Sequence, residues 1–244
     1  MSLRIVWLDD DPASPFPPAS AALREPDGLL AVGGDLHPAR LLNAYRQGIF
    51  PWFDEPPILW WSPDPRTVFR TDGVHLSRRF RRTLATSNWT VRADTAFAEV
   101  VRACAAQPRP GQDGTWITAE MQAAYTALHR LGHAHSVEVF DGTTLVGGIY
   151  GVAIGRMFFG ESMVSLQSGG SKVALAALAH ALHAWGWPLI DAQVANPHLF
   201  RMGAESWTRA RFLDGIAPLV RESGRICGWH EAFPIRDARA LAEA

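Results

Sequence analysis

Hydrophobic residues recur along the chain with two different periods, and the character of the pattern changes near residue 65. Before that point it is short and broken. Residues 3–8 read as a brief strand, and a helix follows Pro38, where Leu41, Leu42 and Tyr45 share one face and Gly48 closes the last turn. Eleven of the 17 prolines fall in the first 65 residues, so long regular elements cannot form there. Beyond Arg66 the apolar runs lengthen. Spacings of three and four predict helices over residues 77–85, 95–106, 118–131 and 170–185, with Thr118 as N-cap and Gly132 just past the end of its helix. Strands are predicted at 89–92, 135–140, 144–154, 157–163 and 189–194, with hairpin turns at Asp141-Gly142 and Gly155-Arg156. Helices, then an antiparallel meander, then helix and strand describe an α/β (α+β) sandwich. The expected division is a small N-terminal α/β lobe over 1–65 and a larger lobe over 66–244.

Composition narrows the class. At 48% hydrophobic over 244 residues, the chain can bury a core, which excludes disorder and fibrous repeats. A net charge of −1 supplies no global field for a polyanion, so nucleic-acid contact would need a local patch. Lys172 is the single lysine among 23 basic residues, so the number of arginines alone argues nothing. Two cysteines, Cys104 and Cys227, make neither a disulfide framework nor a zinc motif. The N-terminal residues lack a secretory pattern, and the uncharged stretch 173–190 contains His180, His183, Gly186 and Pro188. It reads as a buried helix followed by a strand, which leaves a cytoplasmic location and no membrane partner as the expectation.

Four stretches contain more than core packing requires. Gly33-Gly34-Asp35 resembles a phosphate loop but lacks the Lys-Ser/Thr that would follow, so a tight turn before a capped helix is the stronger reading. Phe50-Pro51-Trp52-Phe53 and Trp60-Trp61-Ser62-Pro63 are aromatic. They are either core or, because Pro-anchored turns present Trp, a stacking platform for a base. Glu161 lies in an apolar strand, and period-two alternation places Asp191 and Gln193 on one face of another. Burying three polar groups in two apolar strands needs a reason, and that points to a site. Arg78, Arg79, Arg81 and Arg82 concentrate positive charge within five positions. Charge runs are usually solvated helix faces, yet this is the place where a phosphate backbone could sit.

These stretches occur in a fixed order with others: Gly28-Leu29-Leu30-Ala31, Gly48-Ile49-Phe50-Pro51-Trp52, Trp60-Trp61-Ser62-Pro63-Asp64-Pro65-Arg66, Gly114-Thr115-Trp116-Ile117-Thr118, His135-Ser136-Val137-Glu138, Gly160-Glu161-Ser162-Met163 and Ile190-Asp191-Ala192-Gln193. In that order the chain resembles the bacterial leucyl/phenylalanyl-tRNA–protein transferases from about Phe16 to about Phe212. The resemblance implies an enzyme that needs no cofactor or metal. It would move Leu or Phe, and weakly Met, from aminoacyl-tRNA onto the α-amine of proteins beginning with Arg or Lys, creating a degradation signal. It implies a catalytic lobe like the acyl-CoA N-acyltransferase (GNAT-like) fold. Trp52 and Trp116 would hold the terminal adenosine of the tRNA, and Arg78, Arg79, Arg81 and Arg82 its backbone. Asp191 and Gln193 would be the catalytic pair, and Glu161 would hold the acceptor's amino end. Ile149, Phe159, Met163 and Ile190, on strands beside that pair, are expected to line the pocket for the transferred side chain.

The chain departs from the family pattern at Ala192, where Cys is usual, and the alternation turns that side chain away from the pair. It departs again at Val164-Ser165-Leu166, Gly169-Gly170 and the segment after His198-Leu199, near the expected pocket. An acyl-CoA-dependent N-acyltransferase is the alternative on the same fold. Gln167-Ser168-Gly169-Gly170-Ser171-Lys172 has the glycines of a coenzyme A loop at the wrong spacing. A tRNA-binding module without catalysis is a second alternative.

Overall fold

The change in pattern near residue 65 separates two sheets in the computed structural model, which describes residues 5–107 and 116–243. The first contains β1 (Val6–Leu8), β2 (Leu29–Gly33), β3 (Phe50–Pro51) and β4 (Leu59–Trp61), in the order β1-β2-β4-β3. Residues 3 and 4 of the expected first strand lie outside the described residues. The pattern assigned no element to residues 29–33, but they form β2. It is parallel to β1 and antiparallel to β4, with Leu29 to Val32 all buried. A fully buried strand shows a continuous apolar run, which periodicity cannot identify. The glycine pair behind it belongs to a turn. Asp35 accepts the His37 N–H at 2.7 Å and pairs with Arg40 at 3.2 Å. Arg40, itself fully buried, also donates to the carbonyls of Asp9 and Asp11. A Cβ on Gly34 would lie 3.0 Å from the Arg40 guanidinium carbon. Helix α1 (Pro38–Arg46) then starts on a His37 cap, whose Nδ1 accepts from the Ala39 N–H.

The second sheet contains β5 (Arg66–Arg70), β6 (Trp89–Ala93), β7 (Ala134–Asp141), β8 (Thr144–Ile154), β9 (Met157–Ser165), β10 (Leu189–Gln193) and β11 (Glu205–Trp207). Their order is β11-β5-β10-β9-β8-β7-β6. β9 and β10 are parallel and the other neighbours antiparallel, because helix α5 (Gly170–Ala184) crosses from the end of β9 to the start of β10. The uncharged stretch is therefore a helix ended by Trp185 and then a strand, as expected. Among the described residues no helix is long and apolar enough to cross a membrane. The start of α5 presses onto β8: a Cβ on Gly170 would stand 2.1 Å from the Val146 carbonyl oxygen. Glycine here is a condition of that close approach.

Helix α4 (Ala119–Arg130) starts on the Thr118 hydroxyl, as its sequence predicts, and α2 (Arg78–Leu84) starts on the hydroxyl of Ser77. Helix α3 (Phe97–Ala106) starts two residues later than its pattern. Thr95 is diverted to Glu138, with Oγ1 donating at 2.9 Å, and Asp94 takes a left-handed φ of 57° while accepting the Ser136 N–H. After residue 194, for which the pattern predicted no elements, come α6 (Pro197–Phe200), β11, α7 (Arg209–Leu219), α8 (Trp229–Ala232) and α9 (Ala240–Glu243). Two cores result, one on each face of the large sheet. Leu41, Tyr45 and Trp60 of the first lobe pack with Tyr125, Tyr150 and Phe159. On the opposite face Ile149, Phe158 and Ile190 pack under α5 and Trp229. The fold is thus a two-lobe mixed α/β architecture, as the sequence implied.

Candidate active site

Two adjacent β-bulges build the site. Tyr150 pairs with Ser162 and Gly151 with Gly160, so Glu161 is an extra residue in β9. Asp191 pairs with Val68 and Gln193 with Thr67, so Ala192 is an extra residue in β10, and Gln193 takes a left-handed φ of 60°. Bulges redirect side chains, and this pair gathers the three polar groups. Gln193 Nε2 donates to Glu161 Oε1 at 2.9 Å, while the Gln193 backbone N–H donates to Asp191 Oδ1 at 2.9 Å. Strand alternation is therefore not what joins Asp191 to Gln193. It also misplaces Ala192, which borders both cavities of the site instead of turning away from them.

Glu161 is buried yet accepts three hydrogen bonds: Tyr45 O–H and Gln193 Nε2–H to Oε1, and Tyr125 O–H to Oε2 at 2.5 Å. Burial, reinforced by the Asp191 charge, outweighs those donors and raises its pKa to about 7. Burial and the neighbouring Glu161 charge push both tyrosines well above 10, so they stay protonated donors. Asp191 is completely buried and held by Arg66, with Nε to Oδ1 at 2.8 Å and Nη2 to Oδ2 at 2.6 Å. The Arg66 guanidinium donates a third bond to the Gly48 carbonyl and lies between the rings of Phe50 and Phe212, 4.8 and 4.6 Å from their centroids.

Away from this site, Glu138 is likewise raised to about 7, again by burial, against bonds from Ser136 and Thr95. Glu138 and Glu161 hold their protons to higher pH folded than unfolded, so between about pH 4.5 and 7 the folded chain binds more protons and stability falls as pH rises. The melting temperature is expected to drop across that interval, and Glu138→Gln to flatten the drop. A Glu138→Gln curve parallel to wild type would show that Glu138 ionises normally.

Two cavities meet at Gly160, Glu161 and Ala192. One, of about 480 Å³, is bounded by Phe50, Trp52, Trp116 and Gln193. Trp52 is half-buried, and its carbonyl accepts the Trp61 indole N–H at 2.7 Å. Trp60, by contrast, is wholly core. Gly114 and Thr115, which precede Trp116 in its motif, lie outside the described residues. The other cavity, of about 300 Å³, is walled by Phe69, Ile149, Met163 and Ile190. Phe159, expected in that wall, is on the other face of β9, buried against the Tyr45 ring at 5.4 Å. Asp191 pairs with Phe159 across the ladder, but the Phe159 side chain belongs to the opposite core. Arg78, Arg81 and Arg82 border a separate cleft beside α9, and Arg79 is exposed outside that lining.

Residues 68–217 match the family model for leucyl/phenylalanyl-tRNA protein transferase, and residues 34–64 match the model for its N-terminal domain. The chain belongs to this transferase family. Proteins named leucyl/phenylalanyl-tRNA–protein transferase from Xanthomonas campestris pv. campestris (strain 8004), Xanthomonas oryzae pv. oryzae (strain MAFF 311018) and Xylella fastidiosa (strain 9a5c) are 69%, 68% and 64% identical to it. The alignments cover 96%, 98% and 96% of this chain and 95%, 96% and 97% of theirs. It is an aminoacyltransferase, and the coenzyme A alternative falls away.

Three residues of this transferase's site were not singled out from sequence. Arg66 closes the Ser62-Pro63-Asp64-Pro65-Arg66 motif without any local sign that it would be buried. Tyr45 reads as an apolar helix-face residue, and Tyr125 shares a face with Met121 and Leu128. The usable signal was chemical, since a buried tyrosine hydroxyl needs a partner. The motif also locks the lobes together: Asp64 accepts the Arg209 N–H at the start of α7, and the Ser62 carbonyl accepts from the Arg209 guanidinium.

Proposed function

We propose that the chain transfers Leu or Phe, and weakly Met, from aminoacyl-tRNA to the α-amine of proteins beginning with Arg or Lys, marking them for degradation. The observation that carries this reading is the junction at Glu161 and Ala192, where a cleft bounded by Phe50, Trp52 and Trp116 meets a smaller cavity walled by Phe69, Ile149, Met163 and Ile190. A small lobe, residues 1–65, contributes Tyr45, Phe50 and Trp52 to it, and the larger lobe, 66–244, contributes Trp116, Glu161 and Gln193. Trp52 and Trp116 stack on the terminal adenosine, and Ile149, Met163 and Ile190 receive the aminoacyl side chain. Arg78, Arg79, Arg81 and Arg82 face the acceptor stem.

The ester of aminoacyl-tRNA is already activated, so the chain has to position the reactants, exclude water and manage one proton. The acceptor nitrogen forms its bond to the ester carbonyl carbon, the carbon–oxygen bond to the ribose breaks, and the proton lost by nitrogen ends on the ribose oxygen. An α-amine with pKa near ~7.7–8.0 is partly neutral at physiological pH, so it needs modest assistance. With its Nε2 engaged by Glu161, Gln193 offers its amide oxygen to the incoming N–H. Glu161, when ionised, supplies the negative charge that favours an ammonium-like amine. Asp191 is spent on Arg66 and on the Gln193 backbone, so it positions Gln193 and does not itself touch the amine.

The test is a transfer assay with Leu-, Phe- and Met-tRNA and a peptide beginning with Arg. Leu and Phe are expected to transfer best and Met measurably, since a pocket of this kind separates apolar side chains by only ~1–3 kcal/mol. Stacking on an aromatic contributes ~1–3 kcal/mol per base, so Trp52→Ala or Trp116→Ala should weaken binding of a puromycin-type analogue about 5- to 150-fold. Equal transfer from Asp-tRNA, or unchanged analogue affinity in both variants, would contradict the reading.

A further inference from the structure

We infer that the C-terminal segment, residues 229–243, is a second wall of the acceptor-stem site, with Arg239 contacting a tRNA phosphate opposite Arg78 and Arg82. The inference rests on the tRNA reading of α2. This segment lies beyond residues 68–217, the part matched by the transferase family model, and its sequence carried no assigned role.

Chain ends fray unless they are tied down, and this one is tied down. Trp229 is fully buried and stacks on His135, with ring centroids 4.1 Å apart and planes 4° apart. That His135 ring is itself fixed by Asp94 and the Gly132 carbonyl. The segment then pairs with the edge of the large sheet: Val91 N–H donates to the Arg236 carbonyl and Ala238 N–H to the Trp89 carbonyl, both at 3.0 Å. Phe233, Ile235, Ala238 and Leu241 are buried in the core beneath. α9 is thereby set against α2.

Between them runs a cleft of about 810 Å³ bordered by Arg78, Arg81, Arg82, Arg239 and Asp237. Four guanidinium groups thus face one cleft in a chain whose net charge is −1. Arg239 keeps more than half of its side chain in solvent. Its Nε, at 2.9 Å, and its Nη2 both bond the Asp237 carboxylate, which also accepts its backbone N–H. That pair occupies the Nε–Nη2 edge and leaves the Nη1 side of an exposed guanidinium for a phosphate oxygen, against the opposing Asp237 charge. Without this segment α2 would present its arginines on an open surface, and with it they border a shallow cleft whose far side carries Arg239.

The experiment measures affinity for unacylated tRNA against salt in the full-length chain. Each lost phosphate contact removes about 0.7–0.9 from the slope of log K against log salt. Arg239→Gln is expected to lose that much, weakening binding about five- to eightfold at 0.1 M salt. Arg239→Lys should retain the slope, and Asp237→Asn should tighten binding by removing the opposing charge. A puromycin-type analogue lacks the stem, so equal weakening of both ligands by Arg239→Gln would mean a disturbed adenosine cleft and overturn the inference. A wild-type slope in Arg239→Gln beside a slope lowered by Arg78→Gln with Arg82→Gln would also overturn it while leaving the tRNA reading of α2 intact. Unchanged slopes in both would remove both.

Discussion

Transfer by a Gln193→Ala variant is expected to fall about 10²- to 10⁴-fold, the range associated with losing a positioned proton-handling group, while aminoacyl-tRNA still binds. The side chain lost is the one whose oxygen meets the amine, and among the described residues its amide bonds only Glu161. Folding should suffer little. Glu161 keeps the Tyr45 and Tyr125 hydroxyls, and the Gln193 backbone N–H keeps Asp191. The left-handed backbone at φ 60° is sterically disfavoured for Gln and Ala alike, so the exchange adds no strain. Glu161→Gln combined with Gln193→Ala should be little worse than the poorer single variant, because groups that act as a unit are not additive. Single-turnover transfer of Leu to an Arg-initiated peptide, measured beside tRNA affinity, checks this. A wild-type rate for Gln193→Ala would remove the residue from the reaction.

Asp191→Asn should lower stability by ~3–5 kcal/mol, the usual loss when one partner of a buried ion pair is removed. For a chain of this size that corresponds to roughly 6–20 °C in melting temperature. Asn supplies one acceptor where Arg66 donates twice, and its NH₂ group would confront a guanidinium N–H. Arg66 has no water to turn to, packed as it is between Phe50 and Phe212. The transfer rate should fall as well, because the Gln193 backbone is anchored on the same carboxylate. The double variant Arg66→Met with Asp191→Leu separates the two effects. Replacing a whole buried pair by apolar residues of similar volume is often neutral for stability, so the fold should recover while transfer does not. Recovery of transfer together with stability would show that Asp191 matters only for folding, and a melting temperature within 2 °C of wild type for Asp191→Asn would show that the pair contributes little even there.

Much of this protein is local and could be read residue by residue. The Ser77, Thr118 and His37 caps, the 144–154 strand, the long apolar helix and the basic face of α2 follow from short-range geometry and nearest-neighbour preference. The residues of the site were legible as well, since Glu161, Asp191 and Gln193 interrupt apolar strands. Their arrangement was not. Alternation assigns Gln193 and Ala192 to faces that the bulge in β10 reverses, and it places Phe159 beside residues from which the sheet separates it. Arg66 reaches Asp191 across 125 residues, and Tyr45 reaches Glu161 across 116. What the tertiary structure alone decided is which buried polar groups meet. The cost of leaving a buried charge or hydroxyl unpaired is met by whichever partner the packed lobes bring within hydrogen-bond distance, and no local period in the chain encodes that distance.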